Sequence, residues 1–385
     1  MMNALAAPRV TPELIEVLSA HAKASEAARQ LAPESVQAMR DAGLLRALVP
    51  KSYGGLELEF RDAARLIRDC MAGCSAAGWV LMVSAGHDWM VGSYPHAIQD
   101  EVWAAGPDQV TPGSLAPGGT LVPTDGGWKM TGRWSFNSGA AHGTWFILGA
   151  VDQSGDKPRL LHTLVPRADL ELDDNWRVLG LCGTGSVDAT ATDLFVPEHR
   201  TIDSRALFGG RSEWAERHPS NIYKIPIFSG LSSILASAML GIAENGLEAA
   251  KALIVGQKDR YTGRPKADRP GLHMRLAQAK AELQCAEHLL NDNFDLLDVM
   301  ADGGATIPLR AQAKFQATYS AELSRRDVDR LISATGSRSA FDDSPLQKAF
   351  RDLTMASKHE TINFDSACQA YGRTLLGLDL GGFPV

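Results

Sequence analysis

Three blocks of unlike texture predict a mostly α-helical chain with a central β domain. The expected parts are an N-terminal helical domain (residues 1–110), a small β-barrel or sandwich (111–215) and a C-terminal four-helix bundle (216–385). The first block is rich in Ala, Glu and Leu. The second breaks into short β-type runs separated by Gly, Asp and Pro, and the third holds four long, Ala-rich amphipathic stretches. At 385 residues the chain is long for one core, which agrees with several subdomains.

The elements follow in order. Thr11 and Pro12 read as cap and first position of a helix over 12–31. A second helix over 33–43 places Val36, Met39 and Ala42 on one face and stops at Gly43. Residues 50–55 read as a loop, and helices follow over 60–74, 76–90 and 96–105. From Thr111 the runs 127–134, 144–151, 160–166, 176–179 and 189–196 read as strands. After a Gly/Arg-rich connector (209–220), helices over 234–257, 271–301, 309–335 and 347–376 have the length and amphipathicity of a bundle.

Composition excludes several function classes. The net charge of −7 and absence of a Lys/Arg cluster argue against a nucleic-acid surface. Cys70, Cys74, Cys182, Cys285 and Cys368 are scattered, and no second Cys or His pair accompanies the first two, so no metal site is expected. Reduced thiols of a cytoplasmic protein are the better reading. The most apolar long stretch, 234–255, is interrupted by Glu244, Asn245, Glu248 and Lys251, as in a buried bundle helix and not a membrane span. The N-terminus shows no basic region followed by an apolar core, so no secretory signal is expected.

The most informative local feature is the turn containing Trp134, Phe136, Ser138, Gly139, His142 and Trp145. Small, hydroxylated and amide residues separate two strand-like runs, with an indole on either side. Such a turn suits presentation of backbone N–H groups and a hydroxyl to a flat heteroaromatic ligand. It equally suits a β-hairpin whose tryptophans are plain core. Two further phrases are Leu181-Cys-Gly-Thr-Gly-Ser186-Val-Asp188 followed by Phe195-Val-Pro-Glu198, and Pro345-Leu-Gln-Lys-Ala-Phe-Arg351-Asp352.

Together with the helix–β–helix order, these phrases resemble the acyl-CoA dehydrogenase fold family over nearly the whole chain. The turn and the spacing Arg351-Asp352…His359 look more like its flavin-dependent monooxygenase branch. That resemblance implies the oxygenase component of a two-component aromatic hydroxylase. A separate NAD(P)H-dependent flavin reductase would supply reduced flavin, FADH2 in preference to FMNH2. With O2 the oxygenase would form a flavin hydroperoxide and oxidise a small indole-type or phenolic aromatic. It further implies a homotetramer. The alternative is an acyl-CoA dehydrogenase with Glu360 as base, but Lys358-His-Glu-Thr-Ile lacks the dehydrogenase phrase Tyr-Glu-Gly-Thr.

The resemblance also assigns residues. Ser138 is the expected donor near flavin N5, with Gly139 beside it, and Trp134 is expected to stack on the isoalloxazine. His359 is the first candidate for the catalytic base and His87 the second, because imidazole titrates near neutrality. Arg264, with Arg260 second, is the expected phosphate ligand, often to a neighbouring subunit's flavin. Thr184, Ser186, Gly336 and Ser337 are further cofactor-binding candidates. Trp79, Met82, Trp89 and Phe364 are expected to shape the substrate pocket.

Overall fold

The computed structural model describes residues 8–210, 212–382 and 385. Among the described residues, five α-helices form the N-terminal part: α1 (Pro12–Ala28), α2 (Pro33–Asp41), α3 (Phe60–Cys70), α4 (Ser75–Val91) and α5 (His96–Val102). The Thr11 hydroxyl accepts from the Leu14 N–H and Pro12 occupies the first turn, so α1 starts where its sequence signals place it. α4 is apolar almost all round, and every residue in it except Val83 is buried. It is the central helix of the molecule, with neighbours on all sides.

The β segment forms one mixed seven-stranded sheet, where a barrel or sandwich was expected. Its strands are β1 (Gly113–Thr124), β2 (Gly127–Asn137), β3 (Trp145–Asp152), β4 (Arg159–Pro166), β5 (Glu171–Asp173), β6 (Val187–Pro197) and β7 (Thr201–Asp203), in the order β5-β6-β2-β1-β3-β4-β7. β1 pairs antiparallel with β2 and parallel with β3. Its Gly- and Pro-rich sequence carries no strand signal; pairing along both edges makes it a strand. The run 176–179, expected as a strand, is irregular. There the Trp176 indole N–H donates to the Leu181 carbonyl at 3.2 Å, and the short strand pairing with β6 is β5 instead.

After α6 (Ser204–Phe208) come the bundle helices α7 (Ile227–Val255), α8 (Pro270–Val299) and α9 (Ile307–Thr335). α7 is long and apolar enough to cross a membrane by composition, yet 83% of its apolar window is buried inside the protein, as in a core helix. The single helix expected over 347–376 is broken into α10 (Pro345–Ala356) and α11 (Phe364–Leu375). The break has local causes. Asn363 accepts from the Ser366 N–H at 3.1 Å and starts a new helix, and the His359 ring accepts from the Thr361 N–H.

One carboxylate ties the three parts together. Asp352, fully buried on α10, accepts from the Ser75 hydroxyl at the start of α4, from the Leu181 N–H of the β domain at 2.6 Å, and from Lys348 Nζ at 2.7 Å. Beside it, Arg351 Nη1 donates to the Leu179 carbonyl at 3.1 Å and pairs with Glu26 of α1. The chains meet so closely that a Cβ on Gly180 would lie 2.0 Å from the Arg351 carbonyl oxygen, so only glycine fits there. Asp352→Asn removes the charge from this junction and leaves Lys348 only the longer ion pair with Glu26, at 3.8 Å, which Arg351 also shares. It is expected to lower unfolding free energy by about 3 kcal/mol in urea titrations, and Ser75→Ala by about 1 kcal/mol. Equal stability of Asp352→Asn and the parent protein would refute the assignment.

Candidate active site

A cavity of about 730 Å3 lies where the N-terminal helices, the sheet and the bundle meet. That volume falls in the range that encloses a drug-sized ligand. Its wall is mostly apolar (Met82, Leu115, Phe228, Leu231 and Leu235 among others), and among its uncharged polar groups are His87 on α4, Ser138 with Thr184 and Ser186 from the β domain, and His359 from the break after α10. Five residues therefore line one cavity although they are dispersed from position 87 to position 359.

The turn at Ser138 is shaped by an irregularity of the sheet. The β2–β6 register shifts between Trp134 and Asn137, and Asn137 Nδ2 ties the bulge by donating to the Trp134 carbonyl at 2.6 Å and the Val187 carbonyl at 3.1 Å. Phe136 adopts φ +68°, a strained conformation for an aromatic residue, and its ring is 62% exposed against the edge of Trp176. Both rings line the cavity. The bulge turns Ser138 towards Ser186 on β6's approach.

The hydroxyls form a directed chain. Thr184 Oγ1 is 2.9 Å from the Leu181 carbonyl oxygen, Thr184 and Ser186 hydroxyls are 2.7 Å apart, and Ser186 and Ser138 hydroxyls are 2.8 Å apart. Each oxygen–oxygen approach this short requires one proton between the atoms, and there are three approaches for three hydroxyl protons. The carbonyl cannot donate. Thr184 therefore donates to Leu181, Ser186 to Thr184 and Ser138 to Ser186. Trp79 Nε1 closes the chain by donating to Ser138 Oγ at 3.3 Å. Ser138, expected as a donor, has its proton committed and offers the cavity an acceptor.

The two cavity histidines are also fixed by their partners. His87 Nδ1 lies 2.8 Å from the Thr111 carbonyl, so the neutral ring carries its proton there and its Nε2 is a lone-pair acceptor. Thr111 is itself held, its hydroxyl donating to Asp88 at 2.6 Å and its N–H to Ser84 Oγ at 3.0 Å. His359 is the reverse: Nδ1 accepts from the Thr361 N–H at 3.2 Å, so the neutral ring carries its proton on Nε2. It lies deep in the protein, yet more than a third of its surface is open to the cavity, with the Trp79 indole 6.1 Å away at an edge. Burial pushes both imidazoles down to about 4, which keeps both neutral at pH 7. The expectation that His359 is the base thus meets a geometric objection: the ring nitrogen able to accept a proton is already occupied.

The charged groups in the wall are Lys314, Lys358 and Glu360, one net positive charge. Lys314 is buried at 2% exposure with its ammonium 5.5 Å from the Phe228 ring centroid; desolvation pushes it down to about 8 against the opposing pull of Glu360. Neither lysine was expected in the pocket wall, Glu360 was named only as the base of the dehydrogenase alternative, and nothing in the Ala-rich sequence of α9 singles out Lys314.

Other expected site residues lie elsewhere. Trp134 does not stack over the cavity. It is 1% exposed in the sheet core, its N–H donates to the Gly149 carbonyl at 2.6 Å, and its ring covers Gly118, Gly119 and Gly132, where added Cβ atoms would clash. Gly139 spends its N–H on the Thr184 carbonyl at 2.7 Å. Trp89 is buried against Phe60 and donates to the Ile222 carbonyl. Phe364 is partly exposed beside Tyr319. Arg260, Arg264, Gly336 and Ser337 are exposed near one end of the bundle, where Lys266 bridges Gln257 and the Thr335 carbonyl; none lines the cavity. Trp79 and Met82 do line it. His142 Nε2 bonds the Leu31 carbonyl at 2.9 Å and anchors the turn to the N-terminal part.

The buried histidines set an acid limit. His87, His162 and His218 are buried and pushed down to about 4 in the folded chain, chiefly because burial disfavours the imidazolium, whereas an unfolded histidine titrates near ~6.5. Below that value the unfolded chain binds the protons first, so their contribution to stability is full above about pH 6.5 and is lost as pH falls towards 4. Melting temperature is expected to fall steadily through this window. His162→Gln, outside the cavity wall, should flatten the slope; an unchanged slope would count against the assignment.

Comparison with known proteins bears on this site. The family model "Acyl-CoA dehydrogenase, N-terminal domain" matches residues 10–103, and "Acyl-CoA dehydrogenase, C-terminal domain" matches 233–364. The chain is 33% identical to a pigment production hydroxylase of a Rhodococcus species, over 95% of each chain. It is 28% identical to the oxygenase component of an FADH2-dependent resorcinol hydroxylase of a Rhizobium species, over 95% of this chain and 93% of the relative. The solved structure of XiaF from a Streptomyces species in complex with FADH2 and glycerol superposes with a TM-score of 0.90 at 26% identity, covering 97% of both chains. The dehydrogenase alternative, with Glu360 as base, is not favoured. The chain belongs to the acyl-CoA dehydrogenase fold family, in its branch of flavin-dependent monooxygenase oxygenase components.

Proposed function

We propose that this enzyme takes reduced FAD from a separate NAD(P)H-dependent reductase and hydroxylates a small phenolic or indole-type substrate. The single observation that carries the reading is the pairing, in one largely apolar cavity, of a lone-pair acceptor on His87 with the hydroxyl cluster at Ser138. The preference for FAD over FMN is supported by the FADH2-dependent relative and the FADH2-bound neighbour. The residues present fit such a cofactor. Phe136 and Trp176 offer aromatic surface to a flat ring, Ser138 an acceptor, and the net positive wall suits an anionic ring system. When bound, the reduced flavin supplies the electrons that activate O2.

The chain's own residues then do the following. The apolar wall excludes water, which prevents unproductive release of peroxide. His87 Nε2 accepts a hydrogen bond from the substrate O–H or ring N–H and raises electron density on the ring to be oxidised. Thr111, held by Asp88 and Ser84, keeps that nitrogen unprotonated and aimed. His359 offers an N–H from the opposite tautomer and is a donor to the oxygen being transferred or to the substrate. Assembly as a homotetramer in the cytoplasm belongs to the same proposal. Exposed Leu375, Leu376 and Leu378 at the end of α11, together with Ile307, supply apolar surface for subunit contact.

Reconstitution with a flavin reductase, NADH, FAD and a panel of phenols and indoles tests this, with product and peroxide measured together. His87→Gln keeps an acceptor but loses the basic nitrogen. It is expected to cut product about 100-fold and convert the lost turnover to peroxide, whereas His359→Gln, which retains an N–H donor, should stay within about tenfold of the parent. The opposite ranking would assign the base to His359. No product with any phenol or indole would reject the substrate class.

A further inference from the structure

We propose that a second cavity, which shares no residue with the first, binds a linear aliphatic di- or polyamine, one ammonium resting on the buried Glu57 carboxylate and another on an acidic rim. The inference is independent of the flavin reading. It assigns a ligand class to a part of the molecule that the hydroxylation does not use.

This cavity, of about 390 Å3, opens between the segment before α3, the connector before α7 and the end of α8. Its volume is within the range of small-ligand sites. Glu57 is 4% exposed there, and neither of its carboxylate oxygens has a donor within hydrogen-bond distance and angle. The Lys51 ammonium and the Lys51 and Ser220 N–H groups pull on it only from outside that geometry. Its backbone is held in place. The N–H groups of Leu56, Glu57 and Leu58 donate to the carbonyls of Arg46, Val49 and Ala47 at 3.0, 3.0 and 2.9 Å. A carboxylate taken out of water and left without donors is costly, and a cation entering the cavity offsets that cost.

The rim sets the class of cation. Glu59, Asp298 and Asp302 are exposed around the opening, so with Glu57 four carboxylates line a wall that holds one ammonium, that of Lys51. A cleft dominated by one sign of charge focuses its field and draws in multiply charged cations. Asp298 stands in the last turn of α8, which has no basic residue there, so the negative end of the helix adds to the field. Burial and then repulsion push the Glu59 and Asp298 carboxyls up, against the pull of Lys51 on the first and Arg61 on the second. The repelling neighbours are Asp298 and Asp62 for Glu59, and Asp295 and Asp302 for Asp298. Arg61 is itself bound to Asp295 and Asn291. A bare metal ion does not fit: among the described residues, no group of three or more Asp, Glu, His or Cys is placed to hold one. Negative charges divided between floor and rim match positive charges spaced along a chain. Pro219 and Ala301 give the intervening methylene groups apolar contact.

Isothermal titration calorimetry of the purified full chain at low salt tests the proposal, with putrescine and spermidine as probes and n-butylamine and Mg2+ as controls. Putrescine and spermidine are expected to bind, and n-butylamine, of similar length but with one charge, about fivefold more weakly than putrescine. Glu57→Gln keeps the shape of the side chain and removes its charge. It should weaken putrescine about tenfold, the worth of a hydrogen bond to a charged group, without lowering the melting temperature of the unliganded protein. Asp298→Asn combined with Asp302→Asn changes two exposed positions, so folding is not at risk. This double variant should bring putrescine down to the affinity of n-butylamine. Absence of heat from both polyvalent amines at millimolar concentration overturns the proposal. So does n-butylamine or Mg2+ binding as tightly as putrescine in the parent. Equal putrescine affinity in Glu57→Gln and the parent also overturns it, since only diffuse attraction to the rim would then remain.

Discussion

The buried Asp352 carboxylate is the constraint on which the rest of the structure depends. Its acceptors take up the first hydroxyl of α4, a backbone N–H of the loop between β5 and β6, and a lysine of its own helix. A charge in the interior is tolerated only with such a full set of partners, and removing any one leaves the buried carboxylate short of a donor. Because those partners belong to different parts of the chain, the helical front, the sheet and the bundle are held in one relation. The cavity lies where they meet, so its shape is a consequence of this junction. Gly180 makes the approach possible, since no side chain fits between it and the Arg351 carbonyl.

From that junction the order passes into the site. Leu181, fixed by Asp352, offers the carbonyl on which the hydroxyl chain ends. On the other wall, Thr111 fixes His87, and the short turn after α10 fixes His359. In each case a backbone group decides which atom of a neutral, ambiguous side chain carries a proton. Low polarity around the site makes these choices firm, because a wrongly placed proton leaves a buried group without a partner. Acceptors and donors are therefore set before any ligand enters, and no reorganisation is needed when one does.

Legibility varied from residue to residue for physical reasons. α1 and α2 were readable because caps, prolines and apolar spacing are local features. β1 was not, since its Gly- and Pro-rich residues become a strand only by pairing with β2 and β3. The break between α10 and α11 had a readable signal in Asn363, a good N-cap, that helix-forming neighbours obscured. Ser138, Thr184, Ser186, Trp79, Met82, His87 and His359 were singled out from the sequence and share one cavity. Trp134 was singled out on the same grounds and lies in the sheet core. An indole beside a polar turn has the same local signature in either role, and three glycines on neighbouring strand segments decide which it takes.

The sequence by itself determined the order of helical and β segments, the resemblance of their motifs to a flavin-using branch, and the side chains able to carry the chemistry. Those properties reside in short stretches, where periodicity, turn chemistry and residue type act over a few positions. The tertiary structure decided which nitrogen of each histidine carries the proton, which way the hydroxyl protons point, and which indole is wall and which is core. These follow from contacts between residues far apart in the chain: Ser138 with Ser186 across 48 positions, Trp79 with Ser138 across 59, and Leu181 with Asp352 across 171. A proton's position depends on the partner opposite, and only the folded chain supplies that partner.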